Sequence, residues 1–133
     1  MVRYDIGAVS QALREDMRLK NLYEIICRYG DTEAAVWLEN GKEKSYTFHD
    51  YARITRDYAA AIRSAVGAEA GAYVAIAMET CKEWFPTFWG VIQAGYNAVL
   101  VDASLSDEMT NYLLAQSGAK ALIAGKPRQL AKG

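Results

Sequence analysis

Histidine occurs once in this chain, at His49, cysteine twice, at Cys27 and Cys81, and proline twice, at Pro86 and Pro127. A lone histidine beside Asp50 in the first turn of a helix has no third group to orient it, so His49 reads as an exposed helix residue rather than a general base. The two cysteines stand far apart and give neither a metal-ligand spacing nor a disulfide framework. Charge of one sign is missing as well: 15 basic residues are spread among 16 acidic ones, which sets nucleic-acid binding aside. Arg3 and Asp5 stand where a signal peptide would carry its apolar core, and with the cysteine usage this makes a cytoplasmic protein the expectation.

A phosphate-cradling loop is also absent. No G-x-G-x-x-G and no Gly-Lys-Ser/Thr occurs, so no stretch offers closely spaced backbone amides to a nucleotide at a helix start. One uncharged gap, between Glu83 and Asp102, is about as long as a membrane-spanning helix. Pro86, Gln93 and Gly95-Tyr96-Asn97 cut it into a helix and a strand, each too short to span.

What is present is an alternation of strand and helix. Tyr73 to Met78, Ala98 to Val101 and Ala121 to Ala124 are short apolar runs bounded by Gly or polar residues, as strands buried on both faces are. Cys81 to Ala94 and Asp107 to Ser117 are long enough to be crossover helices between them. A parallel sheet with right-handed crossovers is the expectation. With 52% hydrophobic residues, 133 residues suffice for one core.

Around this centre the local signals are specific. Val9, Leu13 and Met17 form a weak helical pattern in residues 1–20, read as an arm packed on the domain. Asn21 with Glu24 reads as a helix start, with Leu22, Ile25, Ile26 and Tyr29 on one face and Gly30 as the stop. Ala34 to Leu38 and Lys44 to Phe48, joined by Asn40-Gly41, predict a β-hairpin. Thr47 and Asp50 predict a capping box for a helix that carries Tyr51, Ile54, Tyr58, Ala61, Ile62 and Ala65 to Gly67 and lies across the sheet. Thr80 and Glu83 predict another box, starting a helix at about Cys81, although Pro86 inside it means a kinked first turn or a start nearer Phe85. Ser106 caps the last helix, Met109, Tyr112 and Leu113 face the core, and Gly118 closes it.

In an open parallel sheet, ligands bind beyond the carboxyl ends of the strands, here the loops after Met78, Val101 and Ala124. Asp102, with Ser104 and Ser106 nearby, is either a site carboxylate or part of a solvated polar loop. Cys81 near a helix N-terminus has no histidine to act as its base and reads as an inert thiol rather than a redox centre. Trp84, Phe85, Phe88 and Trp89 cover most of one helix, as core or as an apolar ligand wall. Lys126, Arg128 and Lys132 are sparse tail cations, solvated rather than anion-binding. No catalytic, cofactor-binding or metal-ligating residue is assigned.

Read as one string, Asn21 to Gly125 resembles the N-terminal part of the AMP-forming acyl-CoA synthetases and their adenylate-forming relatives. The marks are Ala35-Val36, Tyr46-Thr47-Phe48 opening an Ala-rich helix, Gly71 before YVAIAM, Glu83-Trp84 leading a helix to Ala94-Gly95, and Ser117-Gly118-Ala119-Lys120 before the last strand. Ala72 stands where relatives often have Asp, and Leu100 and Val101 where they often have Pro. The resemblance implies a ligase that condenses a carboxylate with ATP to an acyl-adenylate and passes the acyl group to a thiol such as coenzyme A, in fatty acid metabolism or a related setting. ATP, Mg and coenzyme A are cofactors it implies for the parent enzyme, and none for this chain.

In that family the Ser/Thr/Gly-rich phosphate loop and the C-terminal lysine come after the point where this chain ends. The resemblance therefore implies an incomplete three-layer α/β subdomain: an arm over 1–20, the subdomain over 21–125 and a truncated tail over 126–133. Its partner is the remainder of the parent, its exposed apolar face allows self-association, and alone it is expected to be inactive. The other reading is a self-contained α/β binding or interaction module sharing only the architecture.

Overall fold

The computed structural model describes residues 6–125. It opens with helices α1 (Ile6–Glu15) and α2 (Leu19–Cys27), followed by strands β1 (Glu33–Glu39) and β2 (Lys42–Thr47) and the long helix α3 (Phe48–Val66). Strand β3 (Tyr73–Ala77), helix α4 (Trp84–Gln93), strand β4 (Asn97–Leu100), helix α5 (Asp107–Ser117) and strand β5 (Ala121–Ala124) complete the order.

The parallel sheet runs β4-β3-β5, and β3 pairs with both neighbours, Val74 opposite Ala98 on one side and Ala121 on the other. Alternate residues of β3 feed two cores. Val74 and Ile76 pack with Ala59, Val91, Ala94 and Tyr96 under α3 and α4, while Ala75 and Ala77 pack with Val101, Leu113 and Leu114 under α5. Val74, Ile76 and Val91 are essentially water-free, and each such side chain stabilises the fold by roughly 1.5–3 kcal/mol relative to exposure. The three expected layers are therefore present. The long helix packs chiefly on α4, and only its C-terminal half, through Ala59, Ile62 and Val66, reaches the sheet core.

Strands β1 and β2 form the expected hairpin, with Asn40 and Gly41 both at positive φ (53° and 74°), the turn that matches strand twist. Both halves of the Thr47 and Asp50 capping box form: the Asp50 N–H donates to Thr47 Oγ1 and the Thr47 N–H to Asp50 Oδ2, each at 3.2 Å. Gly67 and Gly118 end α3 and α5 in the left-handed conformation, and Ser106 Oγ accepts from the Met109 N–H at 3.1 Å.

Four expectations are corrected. Helix α2 begins at Leu19, so Asn21 is not its cap: its side-chain amide donates backward to the carbonyls of Ala12 (3.1 Å) and Asp16 (2.7 Å), tying α1 to α2. Met17 is 79% exposed, because the chain between the helices turns on Asp16, whose carboxylate Arg18 grips through backbone and guanidinium and pulls down to about 2. On α5 the buried residue is Thr110, while Met109 and Tyr112 are exposed, since Leu113 and Leu114 set the core-facing edge.

The fourth is the Thr80 and Glu83 box, which does not form: of the two outcomes that Pro86 leaves open, α4 takes the start nearer Phe85, at Trp84, with Glu83 as an uncapped N-cap residue. A helix from Cys81 would need the Pro86 nitrogen to donate to the Lys82 carbonyl, and proline has no N–H. Instead Tyr46 in the hairpin donates its hydroxyl to that carbonyl at 2.6 Å. Pro86 then occupies the first turn, where no donor is required.

Candidate functional site

The carboxyl ends of β3 and β5 lie side by side, paired to Ala77 and Ala124, at the point where the strand order reverses, since β3 leads outward to β4 and the chain then returns across it to β5. The crevice beyond such a point is where an open α/β sheet binds ligands. A cleft of about 240 Å³ lies there, lined by Ala77, Met78, Glu79, Thr80, Cys81, Ala103 and Gly125. All three of the loops singled out in the sequence contribute to it. At this volume it is smaller than a complete small-molecule pocket and fits one wall of a larger one.

Its chemistry is sparse. Among the described residues lining it, Glu79 is the one carboxylate and no basic side chain joins it. That set does not fit a triphosphate or its magnesium ion, which need convergent donors and shared carboxylates. Among the described residues no group of three or more His, Cys, Asp or Glu side chains could hold a metal.

Asp102 does not line the cleft. Its Oδ1 accepts from the Ser104 N–H (2.8 Å) and the Ser104 hydroxyl (2.7 Å), closing a local turn and holding the carboxyl below the usual carboxylate range. Its effect is to fix the path of the loop so that Ala103 faces the cleft. Ser106 is the α5 cap. Cys81 lines the cleft and precedes α4 by a turn, where the backbone N–H groups of Glu83 and Trp84 at the start of the helix favour its thiolate but do not outweigh desolvation. Partial desolvation, and after it the Glu83 carboxylate, push its thiol up.

The remaining candidates fall outside this crevice. The His49 side chain is 70% exposed and lies 3.8 Å from Asp31 across Gly30. Trp89 is buried against Tyr23, Phe88 packs on both the α3 and hairpin cores, Trp84 stacks on Phe88 at 5.7 Å, and Phe85 is 56% exposed. The aromatic run is core with one protruding ring. Lys126, Arg128 and Lys132 lie outside the described residues. Sequence reasoning missed the role of Tyr46, which fixes the loop leading out of the cleft. The signal was Pro86, which leaves one carbonyl in need of a distant donor.

No described helix is long and apolar enough to cross a membrane. Residues 23–132 match the family described as AMP-binding enzyme. Among solved structures the chain is similar to Klebsiella oxytoca NpsA in complex with 3-hydroxyanthranilyl-AMSN, at 20% identity and a TM-score of 0.73 over 86% of this chain and 22% of that one. It is similar to the NpsA N-terminal subdomain, at 20% identity and a TM-score of 0.75 over 86% of this chain and 29% of that one. It is also similar to Mycobacterium tuberculosis fatty acyl CoA synthetase, at 22% identity and a TM-score of 0.65 over 82% and 22% of the two chains. Comparison with curated proteins finds no match. The chain thus spans between a fifth and a third of these solved chains, and at such identities the likeness is one of fold.

Proposed function

The chain belongs to the AMP-binding enzyme family, and we propose that it serves as the N-terminal segment of an acyl-adenylate-forming ligase, presenting one wall of that enzyme's active-site cleft. The observation that carries this reading is the crevice at the carboxyl ends of β3 and β5, to which all three strand-end loops contribute. The parent reaction joins a carboxylate to ATP with loss of pyrophosphate and then transfers the acyl group to a thiol such as coenzyme A. ATP, magnesium and coenzyme A are the parent's ligands in this reading, and the cytoplasm is where it acts.

The residues of this chain supply shape and position. Met78 joins the α4-side core to the cleft, Ala103 is held toward it by the Asp102 turn, and Gly125 closes it without a side chain. Stabilising charge on a transferring group requires preorganised donors or cations, and among the described residues the cleft lining holds no cation. The chain alone is therefore inactive.

The test compares the 133-residue chain with a longer polypeptide encoded by the same reading frame. Pyrophosphate release from ATP is followed with a panel of carboxylates and coenzyme A. Turnover by the longer polypeptide and background release by the chain support the proposal. Carboxylate-dependent release by the chain alone overturns the inactivity, and a stop codon directly after Gly133 makes a self-contained binding module the better account.

A further inference from the structure

We infer that the recess between the hairpin, α3 and the loop before α4 binds a small organic cation, an alkylated ammonium group, at a site separate from the cleft. This does not rest on the ligase reading, because every group it invokes lies outside the crevice at the strand ends.

The recess has a volume of about 330 Å³, and among the described residues none lines both it and the cleft. That volume lies in the range of small-ligand pockets. Its lining falls between residues 37 and 86, so its walls belong to elements in the middle of the chain. Trp37 and Tyr46 of the hairpin stand with ring centroids 5.2 Å apart, and Tyr58 joins them from α3. Asp57 and Glu83 set two carboxylates against the one ammonium of Lys82, which leaves the lining negative. Burial, and after it the Glu83 carboxylate, push the phenols of Tyr46 and Tyr58 up, so both hydroxyls stay neutral beside that charge.

The chain itself shows what such a lining holds. Lys82 Nζ lies over the Trp37 ring, 5.1 Å from its centroid, and 3.8 Å from Glu83 Oε1. The face of an indole attracts a cation, and the carboxylate balances its charge. Both the Lys82 and the Glu83 side chains are more than a third exposed, so this ammonium is a removable occupant on a flexible stem. It can swing into water and leave its place to a cation from solution. A methylated ammonium offers the same rings more apolar surface than the strongly hydrated lysine head does. An anion would meet two carboxylates, and a neutral ligand would leave them without a countercharge.

Heteronuclear NMR of the 133-residue chain tests this by titration with choline. The reporter is the indole N–H of Trp37, which is buried and meets no acceptor among the described residues. A saturating shift of that resonance together with the Lys82 amide is expected. The uncharged alcohol in which carbon replaces the choline nitrogen should bind about tenfold more weakly. Asp57→Asn, at an exposed helix position, should leave the circular dichroism spectrum unchanged and weaken choline binding roughly fivefold. Lys82→Gln should tighten it by a similar factor, because the resident ammonium no longer competes. Absence of a saturating shift overturns the inference, and so does a shift confined to Trp84 or Trp89. Equal binding of choline and the alcohol overturns it in favour of an unselective apolar recess. Weaker choline binding by Lys82→Gln overturns the reading of Lys82 as the competing occupant, and the inference with it. Where the reading frame continues past Gly133, loss of choline binding in the longer polypeptide overturns it in favour of a basic side chain from a later segment.

Discussion

The hydroxyl of Tyr46 supplies the Lys82 carbonyl with the hydrogen bond that Pro86 cannot give, across 36 residues of chain and at 2.6 Å. Burial pushes the phenol up to about 12, so it remains a donor throughout the neutral range. Tyr46→Phe keeps the ring contacts with Trp37 and Tyr51 and removes only this bond. The expected loss of stability is about 1 kcal/mol in urea unfolding. Amide exchange should quicken in the loop from Glu79 to Glu83.

The capping box at the start of α3 ties stability to acid. The Thr47 N–H donating to Asp50, and then the Thr47 hydroxyl, hold the Asp50 carboxyl below its ordinary value. Its contribution is therefore complete above the usual carboxylate range and is lost as pH falls through the depressed folded value. Melting temperatures of wild type and Asp50→Ala should differ near neutrality and converge below about pH 4. At neutral pH, Thr47→Ala should cost about 1 kcal/mol.

Gly90 lets α3 and α4 touch. A Cβ at that position would stand 3.1 Å from Tyr58 Cβ and 3.2 Å from Ile62 Cδ1, and the first of these is anchored to the α3 backbone. Gly90→Ala gains about 1 kcal/mol of helix propensity and meets overpacking of roughly 1–3 kcal/mol. A small net loss is expected. Gly90→Val should be severely destabilised, and the two denaturation midpoints check the order.

Cys81 is exposed yet poorly ionised at neutral pH. Alkylation by iodoacetamide at pH 7 should be slower than that of a free cysteine peptide and should accelerate above pH 8. Rapid, pH-independent labelling would restore the redox-module reading.

Most of the fold was legible because its signals are local. Asn40-Gly41, Thr47 with Asp50, Ser106 and Gly118 each act through neighbours a few residues away, and each stands where its chemistry predicts. The failures are cases in which one residue type serves two geometries. Asn21 carries both donor and acceptor, and tertiary contact with α1 selected the donor. Thr80 and Glu83 have capping-box spacing, but Pro86 and the distant Tyr46 decide the helix start. On α5, apolar residues extend round more than one face, so periodicity alone could not choose Thr110 over Met109 and Tyr112. The strand-end loops were identifiable from topology. That Asp102 spends its carboxylate on Ser104 was not, because a turn-forming aspartate and a ligand-binding one look alike in sequence.

The position of β3 at the centre of the sheet also sets an order of events during synthesis. It is the most water-excluded strand, yet both strands that flank it, β4 and β5, are translated after it. At roughly 5–20 residues per second, its apolar side chains emerge from the ribosome seconds before either flanking strand exists. Helix α3, already made and capped at both ends, is the element available to shelter it through Ala59, Ile62 and Val66. Weakening the α3 caps should therefore lower the yield of soluble chain in cells by more than its effect on the finished fold.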